Sequence, residues 1–151
     1  MRSDIPGKFL GLLVGFILVV IAPFVTTTVE SEMVDRRLIV NDVTNFIDEV
    51  VDSRTITDGM LDDLNVNISS HGMSVDYEIT RYARSVDPDP VHSGEYYITY
   101  LQRDDWKKYS KGDKISVHFY VTGYSTTEDL AHKITGMFIK DLDTTITARI
   151  R

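Results

Sequence analysis

The chain has 151 residues, 16 Lys and Arg against 23 Asp and Glu, and a formal net charge of −7 at pH 7. A field of that sign repels phosphate backbones and makes nucleic acid an unsuitable partner. No cysteine occurs, which removes disulfides, thiolate nucleophiles and Cys-ligated metal sites from consideration.

The first eight residues carry Arg2 and Lys8 and form a short basic leader. Residues 9–25 then read FLGLLVGFILVVIAPFV without a charge, and thirteen of them are Leu, Ile, Val or Phe. At roughly −0.3 to −0.6 kcal/mol each, those side chains favour membrane insertion by about 4 to 8 kcal/mol before Gly11, Gly15 and Pro23 offset part of it. With the threonines 26–28, whose hydroxyls can bond back to helix carbonyls, the run reaches about 30 Å at a rise of ~1.5 Å per residue. Residues 9–28 are therefore expected to form a transmembrane helix, with Phe9, Leu13, Phe16, Val20 and Phe24 facing lipid. A cleaved secretory signal is the competing reading, but the run exceeds the usual signal core and ends in APFVTTTVESE, a poor cleavage site. Basic residues before the run and Glu30 and Glu32 after it place the N-terminus in the cytoplasm and the C-terminal part outside, at the plasma membrane.

Residues 29–54 contain no Gly or Pro and should carry the helix onward as an amphipathic stem. Met33, Val40, Val43, Ile47 and Val50 fall on a heptad-like seam, with Arg36 at one core position. Such a stripe either pairs with another helix or packs on the protein's own globular part. Its proximal half lies too near the membrane for the second option to be easy.

Residues 55–151 are enough for one modest core. A helix is expected over 58–67, with Met60, Leu61 and Leu64 on one face and Gly72 shortly after its end. The Asp87-Pro88-Asp89-Pro90 stretch should be an extended loop, because each proline disfavours helix in the residue before it. Alternation predicts strands at Val75, Tyr77, Ile79; at Ile115, Val117, Phe119, Val121; and at Ile146, Ala148, Ile150. A fourth strand over 96–101 is rich in aromatics and does not reveal its buried face. Lys111-Gly112-Asp113 supplies a turn. Ser125 and Glu128 form a capping box for a helix whose Leu130, Ile134, Met137 and Phe138 should pack on the sheet. The fold class is α+β: a transmembrane helix continuing into a stem, then a small antiparallel sheet with one or two helices.

Chemistry is sparse. Glu128 and His132 have i, i+4 spacing but no metal motif around them, and adjacent Asp62 and Asp63 point to different helix faces. The signatures of nucleophilic, phosphoryl and hydride chemistry are missing, so the expectation is a protein that is not an enzyme and holds no metal or cofactor. Tyr96, Tyr97, Tyr100 and Trp106 could form a contact surface, although strand packing accounts for most of them. Asn67-Ile68-Ser69 fits a glycosylation acceptor only in a host that glycosylates.

The leader ending in Ile5-Pro6-Gly7-Lys8, the apolar helix, its amphipathic continuation and the small C-terminal sheet domain together resemble the layout of type IV pilin-like proteins, nearest to the TadE-like minor pilins of tight-adherence systems. The resemblance implies a peptidase site after Gly7 and a structural, accessory role in a surface appendage or secretion assembly. It also implies partners in membrane lipid and in like helices, its own or those of other pilin-like proteins. The family's glutamate five residues after the glycine is replaced here by Leu12, a departure that suits a minor rather than a major subunit. The alternative is a monomeric extracytoplasmic sensing or ligand-binding module, which requires a pocket lined by the tyrosines.

Overall fold

A computed structural model describes residues 5–92, 94–123, 126–136 and 142–151. The chain begins with α1 (Ile5–Phe16), passes through one π-helical turn (Ile17–Ile21) and continues as α2 (Ala22–Ser53), so that a single rod runs from Pro6 to Ser53. The π turn has a local cause. Pro23 has no amide hydrogen and its ring crowds the carbonyl one turn back, which an α-helix does not accommodate. The preceding turn widens instead, and the amide of Ala22 reaches the carbonyl of Ile17, five residues earlier. Beyond the proline the three threonines bond back as expected: Thr26 to the Ala22 carbonyl at 2.9 Å, Thr27 to that of Pro23 at 3.0 Å and Thr28 to that of Phe24 at 2.9 Å.

No glycine ends α2. Arg54 adopts the left-handed conformation at φ 59°, and its amide closes on the Val50 carbonyl. The chain then pairs briefly with the segment before β3, where Ile56 donates to Lys107 and Tyr109 to Arg54. Thr57 caps α3 (Asp58–Ser70) by accepting from the Met60 amide at 3.2 Å. Met60, Leu64 and Ile68 are its buried stripe, and Gly72 at φ 75° turns the chain out of the helix.

The sheet consists of β1 (Ser74–Pro88), β2 (Tyr96–Arg103), β3 (Lys114–Gly123) and β4 (Asp143–Arg149), all antiparallel in the order β2-β1-β3-β4. β1 is much longer than its alternation suggested. Its first half pairs with β3 and its second half with β2, so pairing extends through Asp87 and Pro88, where a loop was expected. Proline is tolerated there because it is the last strand residue. Facing rows Tyr77, Phe119, Thr144 and Ile79, Val117, Ile146 lie on one side of the sheet. α2 lies across that side, contributing Ile39, Val43, Phe46, Ile47, Val50 and Val51 to a core shared with Ile115, Val117 and Phe119.

α4 (Thr126–Thr135) departs from expectation. It packs against α2 through Ala131 and His132, while Leu130 and Ile134 remain about half exposed. The stem helix already covers the sheet, and no apolar face is left for α4 to take. Met137, Phe138, Ser125 and the Glu128 side chain lie outside the described residues.

Candidate functional site

Along the rod, Phe9, Leu13, Phe16 and Val20 are between 45 and 68% exposed, Phe24 is partly covered, and none of the described residues buries the most apolar stretch. This helix is long and apolar enough to cross a membrane. Gly7 lies within α1 with open space around it.

The stem stripe is divided. Val43, Ile47 and Val50 are at most 1% exposed, spent on the chain's own sheet, and are unavailable to a second helix. Val40 lies at the edge of the core, and Met33 faces solvent beside Val34 and Leu38. The stem is therefore not a separate rod over residues 29–54; its distal half is the central helix of the globular part. The true inward stripe runs through Glu32, Ile39, Val43, Phe46, Ile47, Val50 and Val51, with Arg36 part-buried beside it, one position off the seam at its proximal end.

That shift exposes the role of Glu32. It occupies a core-facing position, is 1% exposed, and accepts from Arg36 Nη2 at 2.6 Å. Its other oxygen lies 3.2 Å from His132 Nε2 of α4. A buried carboxylate requires such partners. His132 is thus a tie between α4 and the stem.

The Lys111-Gly112-Asp113 turn is structural as well. Gly112 takes φ 95° and donates to the Ile150 carbonyl, while Asp113 is 2% exposed. The Asp113 carboxylate accepts from Arg81 Nε and Nη2 at 2.9 and 2.7 Å and from the amides of Ser110 and Arg84. Burial by itself would raise its pKa, but those amides and the Arg81 guanidinium hold the carboxyl below the usual carboxylate range. Beside it, Tyr109 lies under the Arg81 guanidinium, with 5.7 Å to the ring centre. Burial pushes the Tyr109 phenol well up, and its hydroxyl has no partner among the described residues.

Tyr96 and Tyr97 lie exposed on the edge strand β2, and Tyr100 is covered by the Lys114 ammonium at 3.9 Å. None of the three lines a described cavity. Trp106 packs at the core margin with Lys107 over its ring. Asp62 and Asp63 are exposed on α3, as is Asn67. In the β1–β2 connection, Asp89, His92 and Glu95 bring one potential ligand atom each within 4.8 Å of one another. Loop hydrogen bonds account for that geometry: Asp89 accepts from the amides of Val91 and His92, and its own amide donates to Glu95. The Val91 amide foremost holds the Asp89 carboxyl below its usual range.

The largest described cavity lies elsewhere, a cleft of about 720 Å³ between the far end of α2 and the β3–β4 end of the sheet. Asp48 and Val51 form one wall; Arg84, Lys111, Arg149 and Arg151 form most of the other. Sequence reading missed it because these basic residues are scattered along the chain, and only the hairpin register brings them together. The one signal available was two closely spaced arginines, Arg149 and Arg151, in an acidic protein.

No family model, no curated protein and no solved structure matches the chain.

Proposed function

We propose that this protein is a membrane-anchored, non-catalytic accessory subunit of pilin-like kind, with its N-terminus in the cytoplasm and its sheet domain outside. The observation that carries the reading is one unbroken rod with two unlike halves. The first half is apolar and bare, and the second is the central helix of a small antiparallel domain. Such a rod fixes the distance between bilayer and domain, which a flexible linker does not. Lateral partners then have to engage the part of the stem the domain leaves uncovered, where Met33, Val34 and Leu38 are exposed just beyond the apolar run. In this reading like helices, from copies of this chain or from related subunits, pack along that strip and along the anchor within lipid.

The natural lack of cysteine makes the test clean. Met33→Cys, expressed in the native host and mildly oxidised, is expected to give disulfide-linked products, whereas Val43→Cys, buried in the domain, gives none. Exclusive monomer from Met33→Cys at wild-type abundance refutes lateral assembly. Val66→Cys, exposed on α3, should react with a membrane-impermeant maleimide on intact cells, and failure to label until lysis reverses the orientation.

A further inference from the structure

An acidic protein collects four cations around one cleft. Arg84 comes from β1, Lys111 from the turn before β3, Arg149 from the end of β4 and Arg151 from the residues after it. Asp48 contributes the single carboxylate side chain among the described lining residues, and Val51, Ala148 and Ile150 supply apolar surface between the charges. Some basic side chains outside the cleft find acidic partners, Arg81 with Asp113 and Asp105, Lys107 with Asp58 and Lys133 with Asp129, while others such as Arg37, Arg54 and Arg103 stand apart from any among the described residues and do not line this cleft. Among the described residues, none of the four cleft cations has an acidic partner.

Two of them converge. A Cβ built on Gly112 would stand 3.3 Å from Arg84 Nη1, 2.8 Å from Arg84 Cδ and 3.8 Å from Arg149 Nη2, so the Arg84 side chain lies directly over the glycine and the Arg149 guanidinium comes close to the same point. The backbone there is fixed, with Gly112 bonded to Ile150 and the Ile150 amide bonded back to Asp113. Two like charges held over one point repel each other, and an oxyanion between them removes the repulsion while meeting both planar donor forks.

We infer that this cleft is a binding site for a small polyanion carrying two or more linked phosphate groups. The volume falls in the range of small-molecule sites and is too large for a lone orthophosphate. Four cations against one carboxylate match a ligand of several charges, and guanidinium forks suit the tetrahedral array of phosphate oxygens. The headgroups of the anchoring membrane are not the source. Asp48 lies 20 residues beyond Thr28 along one helix, which at ~1.5 Å per residue puts the cleft about 30 Å above the end of the apolar run. The site is independent of whether the stem pairs with other helices.

The test is calorimetric titration of the full chain, held in nanodiscs of zwitterionic lipid, with inorganic tripolyphosphate as probe. Saturable one-to-one binding is expected, with citrate at least tenfold weaker. Arg84→Gln with Arg149→Gln should weaken tripolyphosphate at least tenfold, and Lys107→Gln, a cation outside the cleft, should leave it unchanged. Lys111→Gln with Arg151→Gln, which leaves the converging pair in place, should weaken it by a smaller factor and provides a second variant should the first unfold. The assignment fails if binding does not saturate, if citrate binds equally well, or if Lys107→Gln loses as much as the cleft variants.

Discussion

His132 Nε2 lies 3.2 Å from Glu32 Oε2, joining residues one hundred positions apart and tying α4 to the stem just above the apolar run. Since Arg36 holds the other Glu32 oxygen, the carboxylate is the hub of the contact. Removing one member of a buried charged cluster costs about 3 kcal/mol. Glu32→Ala should lower the unfolding free energy of the micelle-held chain by about that amount, read by urea titration. Amide exchange should accelerate across α4 while β3 stays protected. Equal acceleration in both elements would mean that Glu32 supports the whole domain rather than the docking of one helix.

Asp113 makes the turn before β3 acid-sensitive. Its folded pKa is depressed, so its stabilisation is complete above the unfolded value of about 3.9 and is lost as pH falls through the lower folded value. Asp113→Asn should cost about 3 kcal/mol near neutral pH and flatten the stability profile below about pH 4. Parallel acid limbs for variant and parent would show that other carboxylates govern the acid transition.

Tyr109 carries a buried hydroxyl without a partner among the described residues. An unmet hydroxyl costs about 1 to 3 kcal/mol, and the ring, not the oxygen, makes the contact with Arg81. Tyr109→Phe should therefore be neutral or stabilising by about 1 kcal/mol. A clear fall in the unfolding midpoint would reveal a hydrogen bond made in solution.

The proposed anchoring can be tested inside the bare half of the rod. An aspartate near mid-span costs about 3 kcal/mol on an insertion scale, so Leu13→Asp with Val19→Asp together approach the whole favourable sum. The double variant should leave carbonate-washed membranes for the soluble or degraded fraction. Retention at parental level would place the anchoring elsewhere.

Much of the architecture was legible because periodicity reports faces. The β3 alternation of Ile115, Val117 and Phe119 marks the innermost row, and the uncharged run at residues 9–25 needs only composition. Only the proximal stem was read one position out of phase, because a heptad template rewards Met33 and Val40 and assigns no inward role to a glutamate. Glu32 became a core residue only when α4 supplied a histidine from a distant part of the sequence. Likewise Leu130 and Ile134 suggested a sheet-packing helix, since local pattern cannot tell that α2 had already claimed that face. The basic cleft was invisible for the same reason: Arg84 and Arg149 meet only through the β1–β3–β4 order.

The wide turn at residues 17–21 has an angular consequence. One residue advances an α-helix by about 100°, so a turn that takes in one extra residue rotates everything beyond it by roughly that angle relative to an uninterrupted helix. The apolar half and the domain-bearing half thus have separate azimuths. A neighbouring rod that follows one continuous stripe of this chain must carry a matching break in its own winding or lose contact at Pro23, and a helical wheel drawn through that point as a single α-helix misassigns every residue on one side of it.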